Sequence, residues 1–258
     1  MNKKIKKNIL VVDDEINVCK SIRQAILSEE YEVDMALSGE EALKKDEGRK
    51  YDLVVTDLMM PGISGLDLLK SLKKKRPEVK VIMITGYPTI KTAVESVKIG
   101  AFDYIPKPFT PAELRGLVSR AFKKTEVREK GMEVPPEIEM PPGLYFMIGH
   151  TWLRIKGGSL GFVGVVFDFL QSVGTIAYLE LPKLKASFNQ GEPCAKIIDR
   201  QKFTHRIWSP ASGRVVEVNE KIKSDYSLLR KDPYYDGWLF KLELTNWKED
   251  KKGLLISK

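Results

Sequence analysis

Residues 8–124 alternate short apolar runs with amphipathic helical patterns, and this alternation constrains the fold more than any other feature of the sequence. Five runs rich in Val, Ile and aromatic residues indicate strands: NILVV, YEVDMAL, YDLVVTD, VKVIMIT and AFDYIPK. Between them, patterns such as Leu66, Leu69 and Leu72 with lysines on the other face indicate helices. Such repeats predict an α/β fold with a five-stranded, doubly wound parallel sheet.

The rest of the chain follows a different pattern. Residues 125–143 contain four prolines and no sustained periodicity, which predicts a partly extended linker. Residues 144–258 form many short apolar segments with glycine-containing turns, typical of an all-β sandwich or barrel, with one short helix around 167–173. We therefore expect a first domain at 1–124, a linker, and a β domain from 144 onward.

Chemically complementary side chains follow four of the predicted strands. Asp13 and Asp14 follow the first strand, Asp57 ends the third, Thr85 the fourth and Lys107 the fifth. If the strand order is 2-1-3-4-5, these groups converge beyond the carboxyl ends of the strands, where such sheets bind ligands. Clustered carboxylates suit Mg²⁺, and one of them can attack a phosphorus centre while the ammonium and hydroxyl bind phosphoryl oxygens. The alternative, that the acids are helix caps or turn residues, accounts for one or two of them but not for all five groups.

Four segments, ILVVDDE, VVTDLMMPGISGLDLL, VIMITGYP and AFDYIPKPF, resemble a response-regulator receiver domain with its flavodoxin-like fold. Together they cover nearly all of the first domain. The resemblance implies that a sensor histidine kinase phosphorylates Asp57. It also implies that Mg²⁺ is bound by Asp13, Asp14, Asp57 and the main-chain carbonyl of Met59.

The same resemblance implies a conformational switch. Thr85 is the switch hydroxyl, Lys107 contacts the phosphate, and Tyr104 is the aromatic residue whose rotamer follows the hydroxyl. In the family the bond corresponding to Lys107–Pro108 is usually cis, a form that proline makes accessible. The face formed by the fourth helix, the fifth strand and the fifth helix would carry the signal, and a homodimer through the receiver is compatible with this pattern.

The second half offers little chemistry from its residues alone. His150 and His205 are the only histidines, and neither has a Cys or His cluster beside it, so a transition-metal site is not indicated. The four tryptophans lie outside any basic, aromatic-interleaved strand and are expected to be packing residues rather than a nucleic-acid platform. The unaided prediction is a small β domain used for protein interaction.

Four segments of this half, GHTWLRIK, VGTIAYLELPKL, SPASGRVVEVNE and DPYYDGWLFKLEL, resemble in order the glycine cleavage system H protein. The H protein is the lipoyl-carrying member of the lipoyl- and biotinyl-domain group, whose domains have a barrel-sandwich fold. In the H protein, a Lys at the tip of a β-hairpin carries the lipoate. Counting back from SPASG places Lys202 at the modified position, whereas counting forward from the turn at Gly191 gives Gln201. The hairpin is therefore expected to be one residue longer than in the family.

The residues around Lys202 depart from the family pattern. The tip reads DRQKF, where the H protein has Glu-Ser-Val-Lys-Ala. Arg200, Gln201 and Phe203 are larger than their family counterparts, and an inserted residue would redirect side chains to the other face of the hairpin. We therefore expect most of the protein to lack lipoate. Lipoylation of Lys202 is kept as the alternative to a plain binding domain.

Charge, cysteine content and hydrophobicity reduce the number of functional classes that fit the sequence. The net charge of +8 is spread over scattered basic runs, which favours a solvated surface, and no helix-turn-helix or zinc-finger pattern indicates DNA binding. Cys19 and Cys194 are far apart and suggest neither a disulfide framework nor a metal site. No apolar run approaches the roughly 18 residues of a membrane span, and the apolar stretch Ile9–Val12 is too short for a signal peptide. A cytoplasmic location is expected, without membrane or DNA partners.

The resulting hypothesis is a two-component response regulator rather than an enzyme. Phosphorylation of Asp57 would alter what the H-protein-like domain binds, and its protein partner is not identified by the sequence. The alternative is a regulated acyl or redox carrier that uses lipoyl-Lys202.

Overall fold

The computed structural model describes residues 6–86, 90–129, 138–147 and 149–258. The chain forms two compact units, Met1–Ala121 and Phe122–Lys258. Among the described helices, none has the length and apolar character needed to cross a membrane.

The first unit is an α/β domain whose strands and helices alternate along the chain. Its strands are β1 (Lys7–Val12), β2 (Tyr31–Ala36), β3 (Leu53–Asp57), β4 (Lys80–Thr85) and β5 (Asp103–Pro106). Its helices are α1 (Ile16–Ile26), α2 (Gly39–Gly48), α3 (Gly65–Lys75), α4 (Ile90–Ile99) and the first part of α5 (Pro111–Glu129), whose residues 122–129 fall in the second unit. The five strands are parallel in the order β2-β1-β3-β4-β5, which confirms the predicted fold and strand order.

The central strands of this sheet are buried because helices cover both faces. Every residue of β3 is buried, and so are the last four residues of β1. The helices that follow β2 and β3 begin at serine caps: Ser38 accepts a hydrogen bond from the N–H of Glu41, and Ser64 accepts one from the N–H of Asp67. The carboxyl ends of β1 and β3 lie next to each other because these two strands pair in register, with Val12 opposite Thr56.

The second unit is mostly β-sheet, as predicted for a lipoyl-type domain. Its strands are β6 (Tyr145–Phe146), β7 (Thr151–Lys156), β8 (Leu160–Val165), β9 (Ile176–Glu180), β10 (Ser187–Phe188), β11 (Pro193–Asp199), β12 (Thr204–Trp208), β13 (Gly213–Val218), β14 (Phe240–Leu244) and β15 (Leu255–Ile256). They form a seven-stranded sheet in the order β10-β13-β14-β8-β7-β6-β15 and a three-stranded sheet in the order β12-β11-β9. All the pairings are antiparallel.

Short helices interrupt the strands of this unit. They are α6 (Phe167–Ser172), α7 (Lys221–Ser224), α8 (Leu228–Lys231) and α9 (Trp247–Asp250), followed by a 3₁₀ turn at Lys251–Gly253. Only α6 coincides with the helix expected around 167–173; the others are too short to show periodicity in the sequence. The core contains the fully buried side chains of Trp152, Phe169 and Phe240.

Helix α5 and the core of the second unit each include residues of the predicted linker 125–143. Helix α5 continues to Glu129, because the first proline of the segment comes only at Pro135. At the other end, Ile138 and Met140 pack against the core of the second unit, so these apolar side chains gain burial that an extended tether would not give. Residues 130–137 lie outside the described residues.

Candidate functional site

The strongest candidate site lies at the carboxyl edge of the parallel sheet. Strands β1, β3 and β4 are direct neighbours, so the residues at their carboxyl ends meet at one edge. Asp57 ends β3 in register with Ile84 of β4, and Asp13 directly follows β1. The carboxylates of Asp13 and Asp57 are almost fully buried, with 1% and 6% of each residue exposed.

One ammonium group joins these two carboxylates. The Nζ atom of Lys107 lies 2.9 Å from Oδ2 of Asp13 and 2.7 Å from Oδ1 of Asp57. Burial acts to lower the pKa of Lys107, but the hydrogen bonds and charges of Asp57 and Asp13 outweigh it and raise that pKa above its ordinary value. Lys107 is therefore a fixed cation at neutral pH, aimed at the two acids that the sequence placed at strand ends.

Main-chain groups hold the remaining oxygens of the two acids. The N–H of Met59 donates to Oδ2 of Asp57 at 2.6 Å, and the N–H of Glu15 donates to Oδ1 of Asp13 at 2.9 Å. Asp57 is therefore held between a main-chain donor on one oxygen and an ammonium on the other. Such a carboxylate is oriented before any ligand arrives.

Gly65 is a supporting residue to which sequence reasoning gave no role. A Cβ atom at this first residue of α3 would lie 2.0 Å from the main-chain oxygen of Asp57, far inside van der Waals contact. Only glycine allows α3 to begin this close to the end of β3. The sequence feature that could have indicated this role is its position as the second glycine of PGISG, eight residues after Asp57.

The other predicted site residues occupy different environments. Thr85 is fully buried and its main-chain oxygen accepts a 2.6 Å hydrogen bond from the N–H of Lys107, while Tyr104 is buried with 8% exposed. Asp14 is exposed, and so is the Met59 side chain. The Lys107–Pro108 bond is cis, as the resemblance implied.

The structure brings together two of the three predicted metal-binding carboxylates. Within the described ranges there is no group of three or more His, Cys, Asp or Glu side chains arranged to hold a metal ion. Asp13 and Asp57 share the ammonium of Lys107, whereas Asp14 is exposed. Two buried carboxylates facing one cation are nevertheless the hard oxygen donors that suit Mg²⁺.

Lys202 lies in the loop 200–203 that joins β11 to β12, at the tip of the predicted hairpin. It is exposed and adopts a left-handed backbone conformation with φ of 65°. The N–H of Lys202 donates to the main-chain oxygen of Asp199 at 2.9 Å. The N–H of Asp199 donates to the main-chain oxygen of Phe203 at 3.0 Å. The turn is therefore closed by main-chain hydrogen bonds.

The strand pairings around this hairpin contain two irregularities. The pairing of β11 with β12 shifts between Pro193 and Ala195, which places a β-bulge at Cys194, and the pairs from Ala195 to Ile198 are regular. The pairing of β11 with its other neighbour, β9, shifts between Ile198 and Asp199, next to the tip. That the hairpin is one residue longer than in the family, and that its side chains are redirected, stays a prediction.

Comparison with known proteins assigns each half separately. Residues 9–119 match the model of the response regulator receiver domain, and residues 144–258 match that of the glycine cleavage H-protein. The glycine cleavage system H protein of Symbiobacterium thermophilum is 36% identical over 107 residues, which are 42% of this chain and 82% of that protein. The chain therefore belongs to the response-regulator receiver family in its first half and to the glycine cleavage H-protein family in its second.

Relatives of the first half are longer regulators. The transcriptional regulatory protein ZraR of Klebsiella oxytoca is 34% identical over 144 residues, 56% of this chain and 31% of ZraR. The chain thus spans about a third of the length of that relative. A crystal structure of a receiver domain protein from Clostridium thermocellum is 33% identical, with a TM-score of 0.45, and covers 47% of this chain and 98% of that one.

Proposed function

We propose that this protein is a phosphorylation-controlled regulator in which a sensor histidine kinase phosphorylates Asp57 and the receiver thereby changes what the second domain binds. The observation that carries the proposal is the Asp57 carboxylate at the end of a central strand, held 2.7 Å from the ammonium of Lys107. Its role is regulatory rather than enzymatic, and its expected location is the cytoplasm.

The chemistry follows from the charges at the sheet edge. An oxygen of Asp57 attacks the phosphorus of a phosphohistidine, so a phosphorus–oxygen bond forms as the phosphorus–nitrogen bond breaks and the electron pair returns to the imidazole. Lys107 lies beside the acceptor and balances negative charge on the phosphoryl oxygens. Asp13 holds the other side of the ammonium at 2.9 Å and so fixes its position.

Magnesium fits the two buried carboxylates of Asp13 and Asp57, which are hard oxygen donors. The residues that would hold it are Asp13, Asp14, Asp57 and the main-chain carbonyl of Met59. When bound, Mg²⁺ supplies positive charge beside the phosphoryl oxygens. The N–H of Met59 donates to Oδ2 of Asp57 at 2.6 Å and keeps this carboxylate oxygen oriented with or without the metal ion.

The signal leaves the site through Thr85 and Tyr104. Both are buried, Thr85 at the end of β4 and Tyr104 in the neighbouring strand β5. A hydroxyl that turns toward the phosphoryl group leaves space that the aromatic ring can fill, and this is a two-state packing change. The surface of α4, β5 and α5 would change with it.

The output is proposed to be a change of protein partner. Affinity capture with full-length protein, with and without phosphorylation, tests this function. Proteins whose recovery changes on phosphorylation, and does not change with Asp57→Asn, are the expected result. Identical recovery in both states would contradict the proposal.

A second candidate function is lipoate carriage, favoured by one observation: Lys202 is exposed in the loop at the tip of the β11–β12 hairpin. Its bulky neighbours Arg200, Gln201 and Phe203 still argue against a modifying enzyme closing around the loop. Coexpression with a lipoate-protein ligase and lipoate should leave most of the protein unmodified in an intact-mass measurement. Stoichiometric lipoylation at Lys202 would make the carrier function the better account.

A further inference from the structure

The loop between β11 and β12 presents cations that have no acidic partner in the described part of the chain. Arg200 and Lys202 are both exposed. Neither side chain forms an ion pair or a hydrogen bond with the residues that the structure describes. By contrast, Lys196 in the same hairpin is 2.8 Å from a carboxylate oxygen of Glu180. The tip of the hairpin is therefore a site of uncompensated positive charge.

The acid closest in sequence to these cations is turned into the core. Asp199 is 1% exposed; its Oδ1 accepts a 2.9 Å hydrogen bond from the N–H of Phe203, and its Oδ2 lies 3.2 Å from Nε2 of His205. His205 is also 1% exposed and packs edge-on against Phe169 of α6. With both of its oxygens engaged inside the domain, Asp199 does not neutralise the tip.

The same contacts hold the loop backbone in one conformation. The N–H of Arg200 donates to the main-chain oxygen of Thr175 at 2.9 Å. The N–H of Lys202 donates to the main-chain oxygen of Asp199, also at 2.9 Å. A loop already ordered in this way loses less conformational entropy when a partner binds. Its two cations are thus presented from a fixed backbone.

An exposed aromatic residue lies on the strand that pairs with β11 next to this loop. Tyr178 in the edge strand β9 is 52% exposed and pairs with Ile198, the residue before Asp199. Arg and Tyr are enriched in the parts of protein interfaces that contribute most to binding. The hairpin end therefore combines two cations and an aromatic ring on neighbouring strands.

We propose that the β11–β12 hairpin tip is a docking surface for an acidic protein segment, with Arg200 and Lys202 binding its carboxylates and Tyr178 packing beside them. The inference rests on the proposed role of the second domain in protein interaction and names the chemistry of its partner. Charge complementarity supplies both orientation and selectivity for such a segment.

The experiment uses full-length protein and a fluorescein-labelled hexaglutamate peptide, with binding followed by fluorescence anisotropy at low ionic strength. Arg200→Glu combined with Lys202→Glu should weaken binding by about tenfold or more, because two attractions become repulsions. The matched control is Lys231→Glu with Lys248→Glu, which reverses two exposed lysines of the same domain in α8 and α9. The control should stay within about twofold of the wild type.

Equal weakening in the two double variants would overturn the proposal, since binding would then follow net charge alone. Tighter binding of a duplex DNA than of the peptide through Arg200 and Lys202 would overturn it as well. The peptide is measured without phosphorylation, so failure here leaves the role of Asp57 intact. Conversely, the Asp57-dependent change of partners can fail while the peptide still binds the hairpin.

Discussion

At the scale of single residues, the candidate site depends on buried carboxylates that are held by an ammonium group and by main-chain N–H groups. Asp13 and Asp57 share Lys107, and Asp57 accepts the Met59 N–H. The sequence indicates that Asp57 ends β3 and that Asp13 and Lys107 directly follow β1 and β5, because these strands are recognisable as apolar runs. It could not reveal that Gly65 lies against the main chain of Asp57, because that approach depends on how α3 enters the sheet.

Gly65→Ala tests the close approach of α3 to Asp57. The new Cβ would lie 2.0 Å from a main-chain oxygen, so the free energy of unfolding should fall by roughly 1–3 kcal/mol. Gly48→Ala is the matched control: its Cβ would meet no atom within 4 Å, and it should be neutral or stabilising by at most about 1 kcal/mol. Urea denaturation followed by far-ultraviolet circular dichroism measures both. A Gly65→Ala protein as stable as the wild type would refute the packing argument.

The two thiols should be unreactive in the folded protein. Burial raises the pKa of Cys19 to about 11 and also raises that of Cys194. A raised pKa means that the thiolate, the reactive form, is scarce at pH 8. Ellman's reagent should therefore label neither cysteine in native protein within minutes and both in denaturant. Rapid labelling of native protein would show that at least one thiol is accessible and ionised.

At the scale of elements, strand existence and order were predictable and local irregularities were not. The five runs of the first half became β1 to β5 in the expected order because fully buried parallel strands leave a strong apolar signal. The two-residue strands β10 and β15 have no such signal. The bulge at Cys194 was not predictable either, since the residue pattern does not show where a strand departs from regular pairing.

The Asp199–His205 contact is predicted to hold the hairpin together. Asp199→Ala removes the acceptor for the Phe203 N–H and leaves His205 buried without this carboxylate, so the second domain should lose roughly 2–4 kcal/mol of stability. Asp199→Asn retains an oxygen acceptor and should cost less. Tryptophan fluorescence in urea reports on this domain, because Trp152, Trp208, Trp238 and Trp247 all belong to it. Equal stability of Asp199→Ala and wild type would contradict the role of the contact.

At the scale of the whole molecule, the division into two units was visible in the sequence as a change of pattern. The exact limits of the connection were not, because α5 continues past the last residue of regular periodicity and Ile138 and Met140 join the second core. Burial of these two side chains depends on tertiary contacts, which proline content alone does not reveal.

Limited proteolysis tests the connection between the units. Residues 130–137 contain Lys130 and two prolines, and a tether of this composition should be cut by trypsin before either core. Two stable fragments, with cleavage at Lys130, are expected on a denaturing gel with mass assignment. Protection of Lys130 at protease levels that digest other exposed lysines would instead indicate that the units are tightly docked.

Phosphorylation of Asp57 is the central claim, and intact-mass measurement after incubation with Mg²⁺ and acetyl phosphate tests it most directly. The wild type should gain one acid-labile phosphoryl group, and Asp57→Asn should gain none. Asp67→Asn, which alters an exposed aspartate of the same domain, should be labelled like the wild type. Equal labelling of the wild type and Asp57→Asn would contradict the account.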